Sequence, residues 1–221
     1  KTALVSQMTV DALRLHPAAK CLIVNVEMPP VVLLERQLSR LSGVPYADIA
    51  GRRNLLGCQH RIEPAIATLE DIGDRLFFLG PPFSIDRVVE AVAEAQPTIL
   101  VLDYLQRIKC CDGVADTRSR LNSLMHDART LATAGICVVL VSAVARTPSK
   151  KGGGYNAKEI GMGSFRESSE IEYGCDDAFV MVEEEGRPRD DQSQRAGTVV
   201  RQLRHVKSRN HRQQSLRLEF D

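Results

Sequence analysis

The stretch from residue 99 to 108, ILVLDYLQRI, constrains the fold more than any other part of the chain. Four consecutive apolar residues precede a carboxylate. A strand apolar on both faces reads as a central strand of a parallel sheet, because only a sheet covered by helices on both sides hides both faces. Asp103 then emerges at the C-terminal end of that strand, the edge where open α/β sheets place ligands. In that position it either faces a ligand or caps the turn that follows.

The start of the chain gives Asp103 a context. Lys1-Thr2-Ala3-Leu4 leads into helical spacing of apolar residues at Leu4, Val5, Met8, Ala12, Leu13 and Leu15. Lys-Thr opening a helix is the tail of the phosphate-binding pattern GxxxxGK[ST], in which Lys reaches the β- and γ-phosphates and the hydroxyl ligates Mg²⁺. A hydrophobic strand ending in Asp is the form in which P-loop ATPases hold that metal. The glycines of the pattern are absent. The sequence is therefore expected to begin inside its own phosphate loop, without the strand before it, and to bind ATP poorly as it stands, since that loop's backbone N–H groups supply much of the cradle.

At 221 residues, 43% hydrophobic and 26% charged, the chain suits one globular domain spanning residues 1–221. No apolar run approaches the roughly 20 residues of a transmembrane helix. Six cysteines, at 21, 58, 110, 111, 137 and 175, form no CxxC pair, which favours reduced, buried thiols and a cytoplasmic location. His16, His60, His126, His205 and His211 lack metal-ligand spacing, so surface or capping roles are expected. Net charge is +1, yet the segment from 187 to 217 carries nine Lys/Arg against Asp190 and Asp191. That asymmetry fits either an anionic partner or a solvated hairpin.

In order, the chain alternates strand and helix patterns, the mark of a parallel sheet with crossover helices. A strand over 21–26 leads into Glu27-Met28-Pro29-Pro30 and a helix over 31–41, with Pro30 suited to a first helical position. Glu27 thus leaves a second strand end, either as a group that activates an attacking water or as an acid favoured by the helix dipole. A mixed helical stretch covers 44–74, a short strand 75–80, and a helix capped by Ser84 runs to Ala95. A loop over 109–116 and a helix over 116–134 follow, then a strand in ICVVLVSAV that delivers Ser142 and Arg146 to its C-terminal end. Ser142 there senses a γ-phosphate or starts a turn. The Gly152-Gly153-Gly154 run follows no strand and opens no helix, so it reads as a basic loop. A short helix after Phe165, a strand over 177–184, and a hairpin with its tip at Arg209-Asn210-His211-Arg212 complete the chain. Apolar Val200, Leu203 and Val206 are expected to leave the hairpin's arginines on the solvent side.

With these elements in place, the chain resembles the C-terminal ATPase domain of DnaB-type replicative DNA helicases, a hexameric branch of the RecA-like motor fold. The resemblance rests on KT at 1–2, VEMP at 26–29, ILVLDYLQ at 99–106, VLVSAVAR at 139–146, FRESSEIEYGCDD at 165–177 and KSRN at 207–210, in the family's order across nearly the whole chain. It implies an α/β, RecA-like P-loop ATPase core with a mostly parallel sheet flanked by helices and a C-terminal β-hairpin. It also implies ATP and Mg²⁺ as cofactors, single-stranded DNA as the track, a homo-oligomeric, hexameric ring, and primase and a helicase loader as partners.

Site residues follow from the same resemblance: Lys1 and Thr2 on phosphate and Mg²⁺, Asp103 at the metal, Ser142 near the γ-phosphate and Glu27 as catalytic base. Lys207 and Arg209 resemble the pair that reaches the neighbouring subunit's γ-phosphate. Arg166, Glu167 and Ser169 resemble the loop that tracks DNA, expected to share a channel face with the 109–116 loop. Two positions depart from the family. Ala143 stands where a glutamine couples γ-phosphate to the DNA loop, and Ser169 replaces a glycine. A RecA-like recombinase or other ring ATPase, and a degenerate ring subunit that binds DNA or a loader without hydrolysis, are the alternative functions.

Overall fold

The computed structural model describes residues 1–110, 117–143, 173–183 and 199–220. These fall into two compact units, Lys1–Asp116 with His126–Ala143, and Thr117–Met125 with Val144–Asp221.

The first unit is built on a four-stranded, all-parallel sheet of β1 (Cys21–Asn25), β2 (Leu76–Phe78), β3 (Ile99–Asp103) and β4 (Cys137–Val141), in the order β2-β1-β3-β4. The two central strands are the two most buried ones. Every residue of β1 is buried, as are Leu100 to Asp103 of β3, so the only polar side chains in these strands, Asn25 and Asp103, stand at their last positions. They are direct neighbours across the ladder, in register Asn25↔Asp103. β1 stops one residue short of the expected span. The Asn25 side-chain oxygen accepts the backbone N–H groups of Glu27 and Met28, at 3.0 and 2.7 Å, which turns the chain out of the sheet.

Helices α1 (Thr2–Leu15) and α2 (Pro30–Ser42) occur where apolar spacing places them, α3 (Tyr46–Gly51) and α4 (Gln59–Asp71) divide the expected mixed helical stretch, and α5 (Ile85–Ala95) follows Ser84. Val10 and Leu13 of α1, Leu33 of α2, and Ile72 form one buried cluster with Cys21, Ile23 and Val101 of the sheet. Polar contacts fix α1 against α2: Gln37 donates to the Ser6 hydroxyl, and the Arg40 guanidinium grips both oxygens of Asp11 at 3.2 and 3.0 Å. Pro30 opens α2, and Gly43, at φ 65°, closes it in the left-handed conformation that a glycine adopts without steric cost. Ser84 caps α5 as expected, its hydroxyl accepting the Arg87 N–H. Lys109, expected in a loop, instead forms a single parallel bridge to Ser84, with backbone bonds to Phe83 and Ile85.

Helix α6 (Thr117–Thr133) contributes its first half to the second unit, whose sheet contains β5 (Asp177–Glu183), β6 (Val199–Ser208) and β7 (Leu216–Phe220), antiparallel in the order β5-β6-β7. The expected terminal hairpin is present, with β6 as the middle strand. The arginines of β6 do not simply face solvent: Arg201 and Arg204 are half-buried. Strand side chains alternate with period two, so residues three apart such as Val200 and Leu203 point to opposite faces and mark no common apolar side. The β5–β6 register also skips Val206, passing from Ala178↔Lys207 to Phe179↔His205, a bulge.

Two further expectations change. His205 is not a surface residue; its side chain is 8% exposed, stacked on Phe179 at 4.3 Å between ring centroids and bonded to Asp177. The described cysteines are free thiols, but only Cys21 is buried, and Cys137 is exposed at the start of the edge strand β4. Among the described residues no helix is long and apolar enough to cross a membrane.

Candidate nucleotide site

The centre of the first unit's sheet edge is a buried carboxylate held by one amide. Asp103 is 5% exposed, and a charge so placed needs fixed partners in lieu of water. Asn25 Nδ2 donates to Asp103 Oδ2 at 2.8 Å, and the Val26 N–H donates to the Asp103 carbonyl at 2.9 Å. Oδ1 takes no hydrogen bond among the described residues. The other end of the same Asn25 amide holds the turn that carries Glu27. One side chain therefore positions both carboxylates, fixing Asp103 directly and Glu27 through its backbone. Asn25 was missed by sequence reasoning, although a polar residue ending an otherwise apolar strand, two places before Glu27, is a readable signal.

The N-terminus of α1 and the C-terminal end of β4 complete this edge. Lys1 is the N-cap of α1, and its Nζ donates to the Ser142 carbonyl at 2.7 Å. Thr2 is the first residue of the helix, whose first-turn N–H groups and dipole favour an anion.

Gln106 organises the β4 end, and it too was missed. It lies in the 3₁₀ turn Leu105–Arg107 and donates Nε2 to the Ser142 hydroxyl at 2.7 Å, while the Ala143 N–H donates to Gln106 Oε1 at 3.2 Å. Ser142 is thereby held on two sides, through its carbonyl by Lys1 and through its hydroxyl by Gln106. Arg107, next in the turn, donates to the Tyr104 hydroxyl at 2.7 Å; that bond raises its pKa most, and the charge of Glu27 raises it further.

Lys1, Thr2, Glu27, Asp103 and Ser142 thus all lie at the ends of elements that meet at one sheet edge. Among the described residues no three His, Cys, Asp or Glu side chains gather for a metal. The donor set does fit Mg²⁺ in its nucleotide-bound form: the buried carboxylate has an uncommitted oxygen and Thr2 offers a hydroxyl, the hard ligands that this cation combines with phosphate oxygens and water.

Within the second unit, Lys207 and Arg209 converge on one acceptor, the Tyr173 carbonyl, at 3.3 and 3.1 Å. Arg209 also pairs with Asp176 at 2.9 Å. Arg166, Glu167 and Ser169, together with residues 111–116 of the expected channel loop, lie outside the described residues.

The whole chain, residues 1–221, matches the family described as the DnaB-like helicase C-terminal domain. Among the solved structures that share the fold are the following two. One, described as an ATPase domain, superposes with a TM-score of 0.81 at 14% identity, covering 98% of this chain and 76% of that one. The other, described as a DnaB-like replicative helicase and its interactions with primase, gives a TM-score of 0.76 at 15% identity over 93% of this chain and 50% of that one. No curated protein matches the sequence. The parallel β2-β1-β3-β4 sheet, its flanking helices and the C-terminal antiparallel strands are the RecA-like ATPase fold, and the chain belongs to the DnaB-like helicase C-terminal domain family.

Proposed function

We propose that the chain is the motor of an ATP-dependent replicative DNA helicase, hydrolysing ATP to move along single-stranded DNA and unwind duplex. The observation that carries the reading is the Asn25 amide, which ties Asp103 and the Glu27 turn into one unit at the sheet edge where α1 begins. In this reading Lys1 and the N-terminus of α1 bind the phosphates, and Thr2 and Asp103 hold Mg²⁺. When bound, that ion withdraws charge from the phosphate oxygens and orients them. Glu27 accepts the proton of the attacking water, and Ser142, held by Lys1 and Gln106, presents its hydroxyl to the γ-phosphate. Arg209, assisted by Lys207, neutralises charge on the phosphoryl group of a neighbouring subunit in a hexameric ring. Arg166, Glu167 and Ser169 hold single-stranded DNA. Primase and a loader are the partners the family suggests, and the second structural relative is described with primase.

A degenerate subunit that binds DNA or a loader without hydrolysis is the second reading. It is favoured by Ala143, which offers no side-chain amide and whose backbone is closed off by Gln106. One experiment separates the two. In the full-length protein the motor reading expects Glu27→Gln to lower turnover by roughly 10²-fold or more at unchanged nucleotide affinity. Absence of any DNA-stimulated ATPase in the unsubstituted ring would establish the degenerate reading.

A further inference from the structure

Arg209 is held at both ends by the same residue. Its backbone N–H donates to the Asp176 carbonyl at 2.9 Å, continuing the β5–β6 pairing one step past Asp177↔Ser208. Its guanidinium Nη1 lies 2.9 Å from Asp176 Oδ1, and Nη2 donates to the Tyr173 carbonyl at 3.1 Å. Two anchors on two corners of a planar fork fix the position of the guanidinium and the orientation of its plane.

The ion pair is poorly placed to serve stability. The Arg209 and Asp176 side chains are 43% and 46% exposed, and ion pairs so open to solvent add little to stability. What the pair does accomplish is ordering: a free arginine side chain carries much rotamer entropy, and a group seated beforehand does not lose it on meeting its target. A guanidinium carries five N–H donors, and the described contacts engage Nη1 and Nη2 only once each, leaving donors for a phosphate. Lys207 Nζ on the same Tyr173 carbonyl gathers a second cation at this point.

We propose that Asp176 is a positioning residue for Arg209, holding its guanidinium in the geometry in which it meets the nucleotide of the neighbouring subunit. The inference rests on the reading of Arg209 as a group acting in trans. Asp176 touches no reacting atom; it acts on the reaction through Arg209.

The test is a double-substitution cycle in the full-length ring, read as DNA-stimulated ATPase with nucleotide affinity measured separately. Asp176→Ala is expected to lower kcat about tenfold, below the roughly 10³-fold loss on removing the arginine itself, with nucleotide affinity unchanged. Asp176→Asn, which keeps an acceptor oxygen, is expected to lose less. In an Arg209→Ala ring, Asp176→Ala is expected to cost nothing further, because there is no guanidinium left to position. Full activity of Asp176→Ala beside an inactive Arg209→Ala overturns this inference and leaves the trans reading standing. An equal loss in both backgrounds also overturns it, by showing a structural role. Full activity of Arg209→Ala overturns the trans reading itself.

Discussion

The side chains of Asn25 and Asp103, neighbours in register on parallel strands, meet through one hydrogen bond of 2.8 Å at the C-terminal edge of the sheet. Asn25 is 8% exposed and spends its other end on two backbone N–H groups. Asn25→Ala therefore leaves a buried carboxylate and a turn without their partners, a loss of about 1–3 kcal/mol. Urea unfolding of the protein measures it. ATP turnover is expected to fall as well, since both Asp103 and Glu27 lose their support, and Asn25→Ala with unchanged stability and unchanged turnover would remove Asn25 from the site.

Subunit mixing addresses the trans reading of Arg209. Rings assembled from Arg209→Ala subunits alone, or from Glu27→Ala subunits alone, are expected to lose most of their ATPase, on the order of 10³-fold for the arginine. Mixed rings are expected to recover part of it wherever an intact Glu27 faces an intact Arg209. Failure to recover, in rings shown to be mixed, would assign Arg209 to a solvated hairpin.

Acid is expected to weaken the β5–β6 pairing through Asp177. The Ser208 hydroxyl first, then His205 and the charges of His205 and His211, hold the Asp177 carboxyl below its ordinary value, with burial opposing. A depressed folded-state value means that the unfolded chain takes up the proton first as pH falls. The stabilisation is present in full above the ordinary carboxylate value of about 3.9 and is lost as pH drops through the lower folded value. Amide exchange of β5 and β6 across this range is expected to flatten with pH in Asp177→Asn.

Base acts on the first unit through Cys21. Burial pushes its thiol up to about 12, against the lowering effect of a hydrogen bond with Thr9. An unfolded thiol ionises at about 8.5, so from there upward the unfolded state holds fewer protons and stability falls with rising pH toward 12. At pH 8 the exposed Cys137 is expected to react with a thiol reagent promptly, and Cys21 only at the rate of unfolding. Labelling of Cys21 as fast as Cys137 in the folded protein would contradict its place in the core.

The sequence by itself determined the parallel sheet and its central strands. Residues 21–24 and 99–102 carry no polar side chain, and such segments fold only where helices cover both faces. It also determined that Lys1, Glu27, Asp103 and Ser142 stand at element ends, because each directly follows a strand pattern or opens a helical one. Tertiary structure alone decided what joins them. That Asn25 pairs with Asp103 depends on β1 lying next to β3, residues 78 apart in sequence, and that Gln106 clasps Ser142 depends on the register of β3 with β4. The same holds for Arg209: its spacing from Lys207 is visible in the chain, but the Tyr173 carbonyl and the Asp176 carboxylate that seat it come from a separate segment brought alongside by β5–β6 pairing. Where strand alternation was read across three-residue spacings in β6, the half-buried arginines and the enclosed His205 went unseen, since a bulge at Val206 and pairing on both sides of the strand set their burial. Local pattern fixes which residues face a surface; only the long-range pairing of strands fixes which residues face each other.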